Sequence, residues 1–245
     1  MAPEEGEIIH ELFKRKVVRV GDTFARKYGP NLRAHEPDNL RFIAANTTIP
    51  VPKVHDVEWE DGKLVSFTMD YMPGTKLDDA WDSLDHDQKL SIAKQLHGYV
   101  AQLRKLKGTY IGGVNGTAVI GKMFRLECGP FDTEQAFNKF ILQEVHDRTP
   151  DILRELIKEA VLDTHEIVFT HSDLAPRNIL VENGQVTAIL DWEDAGWYPE
   201  YWESFRALRQ LRPVPDWPEY LPLIIPPGYG REYIGMNFVE MISKN

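Results

Sequence analysis

The side chains best suited to chemistry sit in His171-Ser172-Asp173-Leu174-Ala175-Pro176-Arg177-Asn178 and in Asp191-Trp192-Glu193. Together they make an H-x-D-x-x-x-x-N segment with a second carboxylate eighteen positions after Asp173. A carboxylate such as Asp173 can orient and deprotonate a hydroxyl. The amide oxygen of Asn178 and the carboxylate of Asp191 can hold magnesium against phosphates. That is the chemistry of phosphoryl transfer, in which a protein mainly positions groups and neutralises charge. A metallohydrolase built on His171, Asp173 and Asp191 is the competing reading, but the additional histidines that such a site recruits are missing nearby.

Strand-like sequence flanks each part: Ile167-Val168-Phe169-Thr170 before the first, Ile179-Leu180-Val181 after it, and residues 186–190 leading into Asp191. Glu182-Asn183-Gly184-Gln185 predicts a tight hairpin, because Asn-Gly tolerates positive φ at both central positions. Such a hairpin returns Asp191 to the end where Asn178 lies, so that both can reach one cation. Upstream, residues 17–28 read as another hairpin around Gly21-Asp22. An amphipathic helix over 37–46 follows, with Leu40 and Ile43 three apart, and the prolines of Ile49-Pro50-Val51-Pro52 end it by favouring extended chain. Residues 54–57 and 64–69 read as strands about the Glu60-Asp61-Gly62 turn. Gly6-Glu7-Ile8-Ile9-His10-Glu11-Leu12-Phe13 reads as a helix, which leaves the start of the chain without a glycine-turned strand pair. Met72-Pro73-Gly74 breaks the pattern. Beyond it, Ile92, Leu96, Val100, Leu103 and Leu106 step by three and four and predict a helix over 88–107. Further helices are expected over 133–147, 151–161 and 198–211, and the proline-rich stretch 213–230 reads as irregular chain or a substrate-side wall.

A chain of 245 residues can bury a substantial core as one domain or two tightly joined lobes. Its formal net charge of −10 disfavours a nucleic-acid partner, which would call for a basic face. Cys128 is the only cysteine, so no intrachain disulfide can form. No apolar run reaches the roughly 18–20 residues needed to cross a bilayer, and the first residues lack a secretory pattern. A cytoplasmic protein with no membrane partner is the simplest expectation.

At this level of detail the sequence resembles the aminoglycoside phosphotransferase / choline kinase-like family, in particular the small fungal proteins that carry that domain. The likeness rests on Val18-Arg19-Val20-Gly21-Asp22 with Lys27-Tyr28-Gly29, on Leu40-Arg41-Phe42 with Asn46-Thr47-Thr48-Ile49-Pro50-Val51-Pro52, and on Met69-Asp70-Tyr71-Met72-Pro73-Gly74. It continues through Phe169 to Asp173, Pro176 to Val181 and Asp191-Trp192-Glu193-Asp194-Ala195-Gly196-Trp197-Tyr198-Pro199. The resemblance implies an α+β, protein-kinase-like, two-lobe fold: an abbreviated β-rich N-lobe over 1–72 and a mainly helical C-lobe over 73–245. It implies ATP and Mg2+ as cofactors and a small-molecule hydroxyl as phosphate acceptor. Asp173 would be the catalytic base, Asn178 and Asp191 the magnesium ligands, and Lys27 the lysine that reaches the ATP phosphates, paired with Glu36. Asp70, Tyr71 and Met72 would form the hinge whose backbone binds adenine, and His171 would support the loop. Glu193 is either a further ligand or a structural acceptor, and Arg177 a salt-bridge partner within the loop. Ser172 stands where the family usually has glycine. The shortened N-lobe motivates a second reading, a catalytically silent kinase-like protein that binds a metabolite or a protein partner.

Overall fold

The computed structural model describes residues 6–121, 126–209 and 214–243. The chain begins with five antiparallel strands, β1 (Glu7–Leu12), β2 (Arg15–Val20), β3 (Phe24–Tyr28), β4 (Val54–Glu60) and β5 (Lys63–Asp70). They form one sheet in the order β1-β2-β3-β5-β4, and the helix α1 (Glu36–Asn46) sits between β3 and β4 in the chain. β1 corrects the helix expected there, and with it the expectation of a missing strand pair. Ile8, Ile9 and Leu12 have helical spacing, yet they are 50%, 38% and 47% exposed, so no apolar stripe is buried. The segment satisfies its backbone by pairing along β2 instead. The connecting turn, Phe13-Lys14, takes positive φ at both residues without a glycine, which is why it carries no turn signature.

After the Met72-Pro73-Gly74 break come β6 (Thr75–Lys76), α2 (Leu77–Ala80) and the long α3 (His86–Lys105). β6 does not join the first sheet. It pairs with β10 (Ile179–Glu182), which pairs with β11 (Gln185–Ile189) across the Asn183-Gly184 turn. Gly74 permits this: at φ +135°, a Cβ there would stand 2.6 Å from the Thr187 hydroxyl oxygen, so only glycine lets the chain lie on the hairpin. α3 starts at a capping box, in which Asp85 accepts from Gln88 N and Gln88 reaches back to Asp85. Its Ile92, Leu96, Val100 and Leu103 are buried as the spacing predicts, and His97 is exposed.

The rest comprises β7 (Val119–Gly121), β8 (Leu126–Cys128), α4 (Glu134–Gln143), α5 (Asp151–Ala160), β9 (Ile167–Thr170), β12 (Gly196–Pro199), α6 (Trp202–Leu208), α7 (Trp217–Ile224) and α8 (Gly230–Met241). The helix expected over 198–211 is shorter than that. Tyr198 lies opposite Val168 in the β9–β12 pair, the helix begins only beyond Pro199, and residues 210–211 lie outside the described residues. The proline-rich stretch is in part helical, through α7, although Pro213 is among the undescribed residues. Pro218 occupies the first turn of α7, where its missing N–H costs nothing, and Pro222 is carried inside it. Burial outweighs the lost hydrogen bond: Trp217 and Ile224 are fully enclosed, and Trp81 meets Trp217 edge-on at 5.3 Å. One apolar core runs from Leu40, Ile43 and Phe67 to Phe169 and Trp192, joining the sheet region to the catalytic segment. A second gathers Phe137, Tyr198, Trp202 and Phe205. No helix among the described residues is long and apolar enough to cross a membrane.

A buried triad ties the far end of this helical region together. His165 Nδ1 lies 2.8 Å from Glu134 of α4, its backbone N–H donates to the same carboxylate, and its Nε2 is 3.5 Å from Glu232 of α8. The hydrogen bond to Glu134 raises the imidazole pKa above its usual value against the opposing effect of burial. The protonated ring therefore stabilises the fold below the unfolded pKa of about 6.5, and that contribution is lost as pH rises through the folded value. Replacing His165 by Gln should lower the urea midpoint clearly at pH 6 and much less at pH 9. A pH-independent difference would mean that the ring acts by packing alone.

Candidate active site

β9 runs into the loop that carries His171, Asp173 and Asn178. Ser172, the residue in the place of the usual glycine, adopts the left-handed conformation at φ +67°, so the backbone turns there even with a side chain. His171 is fully buried. Its Nδ1 accepts the Asp173 N–H at 3.1 Å, which places the ring proton on Nε2, and Nε2 donates to Leu190 O at 3.0 Å. His171 thus braces the loop against the residue preceding Asp191. Two residues of α6 that the sequence did not single out complete the brace. Glu203 accepts the His171 N–H at 2.7 Å, and Arg206 donates to Ser172 O at 3.0 Å while its Nη2 stands 3.8 Å from Asp173 Oδ1. Burial pushes the Glu203 carboxyl up to about 7. The one local hint was a charged pair three apart in a helix otherwise built on Trp202 and Phe205.

Asp173 Oδ2 accepts from Arg177 at 2.6 Å and from Asn178 Nδ2 at 3.1 Å. Arg177 is therefore the loop salt bridge that was expected. Asn178 Nδ2 also donates to Asp173 O, so its amide nitrogen is turned toward the loop and its oxygen is the atom left for a cation. Across the β10–β11 hairpin, Leu190 N donates to Asn178 O at 2.8 Å, which locks the starts of the two ligand-bearing segments together. Asp191 follows at φ +62° and leaves β11 with its carboxylate partly exposed.

Lys27 on β3 comes to meet it. Its Nζ donates to both Glu36 oxygens, at 2.9 and 2.7 Å, and to Asp191 Oδ1 at 3.3 Å. Burial alone would lower the lysine pKa, but Glu36 first, then Asp191 and Glu193, hold it above the usual value. Burial drives the Glu36 carboxyl the other way, upward, and Lys27 counters it. The two-oxygen contact is the geometry of an ionised pair. Glu193 faces the same cluster, 2.5 Å from Arg15 and 3.8 Å from Lys27. The 192–195 turn is pinned to the α1 region by two residues the sequence reading passed over: Asn39 Nδ2 donates to Trp192 O and Ala195 O, and His35 Nε2 donates to Glu193 O.

Arg15, Lys27, Glu36, Arg177, Asn178 and Asp191 line one cleft of about 720 Å³, the size of a small-molecule site. Lys27, Glu36, Asn178 and Asp191 share it with the hinge residues Asp70, Tyr71 and Met72. The hinge divides its duties. The Asp70 carboxylate is occupied by Lys53 N–H and by His55 Nε2 at 2.6 Å, and Tyr71 N–H is committed to Thr23 O. Among the described residues the Met72 N–H has no partner, so of the three it is the donor open to a base edge. Hard oxygen donors suit magnesium, and Asn178 with Asp191 provides them. Glu36, Asp191 and Glu193 each bring an oxygen within 4.8 Å of the others.

The fold and cleft define a kinase-like phosphotransferase architecture: a sheet-based nucleotide side, a hinge, and a catalytic hairpin on a helical body. The chain belongs to the phosphotransferase enzyme family, whose model matches residues 13–225. It is 25% identical over 173 residues to an aminoglycoside 3'-phosphotransferase of Niallia circulans, a match that spans 66% of this chain and 64% of that protein. Among solved structures it resembles a thermostable mutant of aminoglycoside phosphotransferase APH(4)-Ia bound to ADP and hygromycin B, with a TM-score of 0.67 at 15% identity over 97% of this chain and 84% of the other. It also resembles the GDP complex of aminoglycoside 2'-phosphotransferase-IIIa, with a TM-score of 0.64 at 12% identity over 98% and 83%. At these identities the structural likeness is one of fold.

Proposed function

We propose that this protein transfers the γ-phosphoryl group of ATP, with magnesium, to a hydroxyl of a small molecule in the cytoplasm. The observation that carries the reading is the convergence of Asn178, Asp191 and the Lys27–Glu36 pair on one cleft beside a hinge with an open backbone donor, with Asp173 hydrogen-bonded to the cleft-lining Asn178 and Arg177. Residues 1–72 and 73–245 are the corresponding nucleotide and catalytic lobes. Met72 N–H donates to the adenine edge, and Lys27 neutralises the phosphates. Asn178 and Asp191 would hold magnesium, which screens the charge of the transferring group. Asp173 takes the proton of the acceptor hydroxyl as its oxygen bonds to the γ-phosphorus, while the bond from phosphorus to the ADP oxygen breaks. His171, Glu203 and Arg206 keep the base in place. Closeness of the reacting atoms supplies much of the acceleration.

The silent, binding-only reading rested on a missing strand pair over the phosphates. The β1–β2 hairpin supplies a strand pair ahead of the Lys27 strand, which supports the catalytic reading. Calorimetry with ATP and with GTP should show nucleotide binding that requires magnesium and disappears in EDTA. Release of ADP should follow on addition of hydroxyl compounds from a metabolite library. A folded protein that binds neither nucleotide, with or without magnesium, would refute the phosphotransferase reading.

A further inference from the structure

Backbone amides of a glycine turn can come close to phosphates because no side chain intervenes. The hairpin over this cleft has no such turn. Its tip is Phe13-Lys14, with Phe13 82% exposed. The end of β3 backs directly onto that tip: at Gly29, φ +130°, a Cβ would lie 2.6 Å from Lys14 O and 2.9 Å from the Arg15 Cα. Arg15 is thereby held at the tip end of the hairpin, opposite Leu12, with its side chain lining the cleft near Lys27.

The guanidinium is aimed by a buried acid. Nη1 donates to Glu193 Oε2 at 2.5 Å, and among the described residues its other N–H groups have no acceptor. Glu193 itself is fixed by the His35 and Asn39 hydrogen bonds to its turn. An arginine held through one nitrogen, with further donors facing a cleft, is arranged for an oxyanion. The neighbouring strand responds to the same field. Burial first, then Lys76, Lys27 and Arg15, push the His10 imidazole below its usual range, although Asp191 opposes them.

We propose that Arg15 is a phosphate-binding residue of the nucleotide site, oriented by Glu193, which performs with side-chain donors what a glycine turn performs with backbone amides. The inference rests on the phosphotransferase reading of the cleft. One or two charge-assisted hydrogen bonds to the β- and γ-phosphates set its size. Arg15→Gln should weaken ATP binding in magnesium by about 10- to 100-fold and leave AMP within about twofold of wild type. Arg15→Lys keeps the charge but not the fork, and should fall between the two. Equal losses for ATP and AMP would show a merely structural arginine and overturn the proposal, as would unchanged ATP affinity in both variants. Should Arg15→Gln fail to fold, the Lys variant alone discriminates through the same ATP-to-AMP ratio. Wild-type protein that binds ATP while the variants bind it equally well refutes Arg15 alone; wild-type protein that binds no nucleotide refutes the underlying function as well.

Discussion

An Asp173→Asn protein is expected to bind ATP and magnesium as tightly as wild type and to transfer phosphate about 10²–10⁴-fold more slowly, the usual worth of a positioned general base. The change is nearly isosteric and removes the charge. It also leaves the brace intact, because the His171–Leu190, Glu203–His171 and Arg206–Ser172 hydrogen bonds do not involve the Asp173 side chain. What is lost is the anion that Arg177 and Asn178 hold in position. Calorimetry and a coupled ADP-release assay on the same preparation separate binding from chemistry. Turnover equal to wild type would remove Asp173 from the mechanism.

Lys27→Met should lower kcat/KM by roughly 10²–10³, the loss seen when one preorganised electrostatic group is removed from a transition state. It should also change how stability depends on pH. Without the lysine, Glu36, Asp191 and Glu193 keep their oxygens within 4.8 Å of one another, and Arg15 becomes the nearest offsetting charge. Burial already raises the Glu36 carboxyl, and loss of Lys27 removes the first influence that lowers it. A carboxyl raised above its unfolded value of about 4.3 stabilises the fold only below that value, and the benefit is lost as pH rises through the folded one. The variant should therefore fall well short of wild type in denaturation midpoint at pH 8 and approach it at pH 5. A gap of the same size at both pH values would show that Lys27 acts through its hydrocarbon stem alone.

What could be read ahead of the structure follows how local each signal was. The β10–β11 hairpin announced itself through Asn183-Gly184 between two strand-like runs, and the turn dictated that Asp191 would return to Asn178. α1 and α3 were legible from apolar spacing, while the Asp85–Gln88 capping box that starts α3 two residues earlier went unread. Lys27 and Glu36 were paired through the family resemblance, and their separation of nine positions proves to be enough for a two-oxygen contact. β1 was misread because its apolar residues follow a helical period that no neighbour exists to bury, and its Phe13-Lys14 turn has no characteristic residue. α7 was left unassigned because Pro218 and Pro222 argue against a helix until the packing of Trp217 against Trp81 is taken into account. Glu203, Arg206, His35 and Asn39 belong to no motif. They act on backbone atoms far away in the chain, and those partners cannot be inferred from spacing.

The linear order of residues determined the candidate reacting groups and the hairpin that presents them, because turn chemistry acts over a few neighbouring peptides. Folding alone decided which cation answers which acid. Lys27 and Asp191 are 164 positions apart and Arg15 and Glu193 are 178 apart, and such pairs gain strength only when both charges leave water together. That shared desolvation arises from the packing of the sheet and α1 onto the catalytic segment, a long-range event for which no local propensity carries a code.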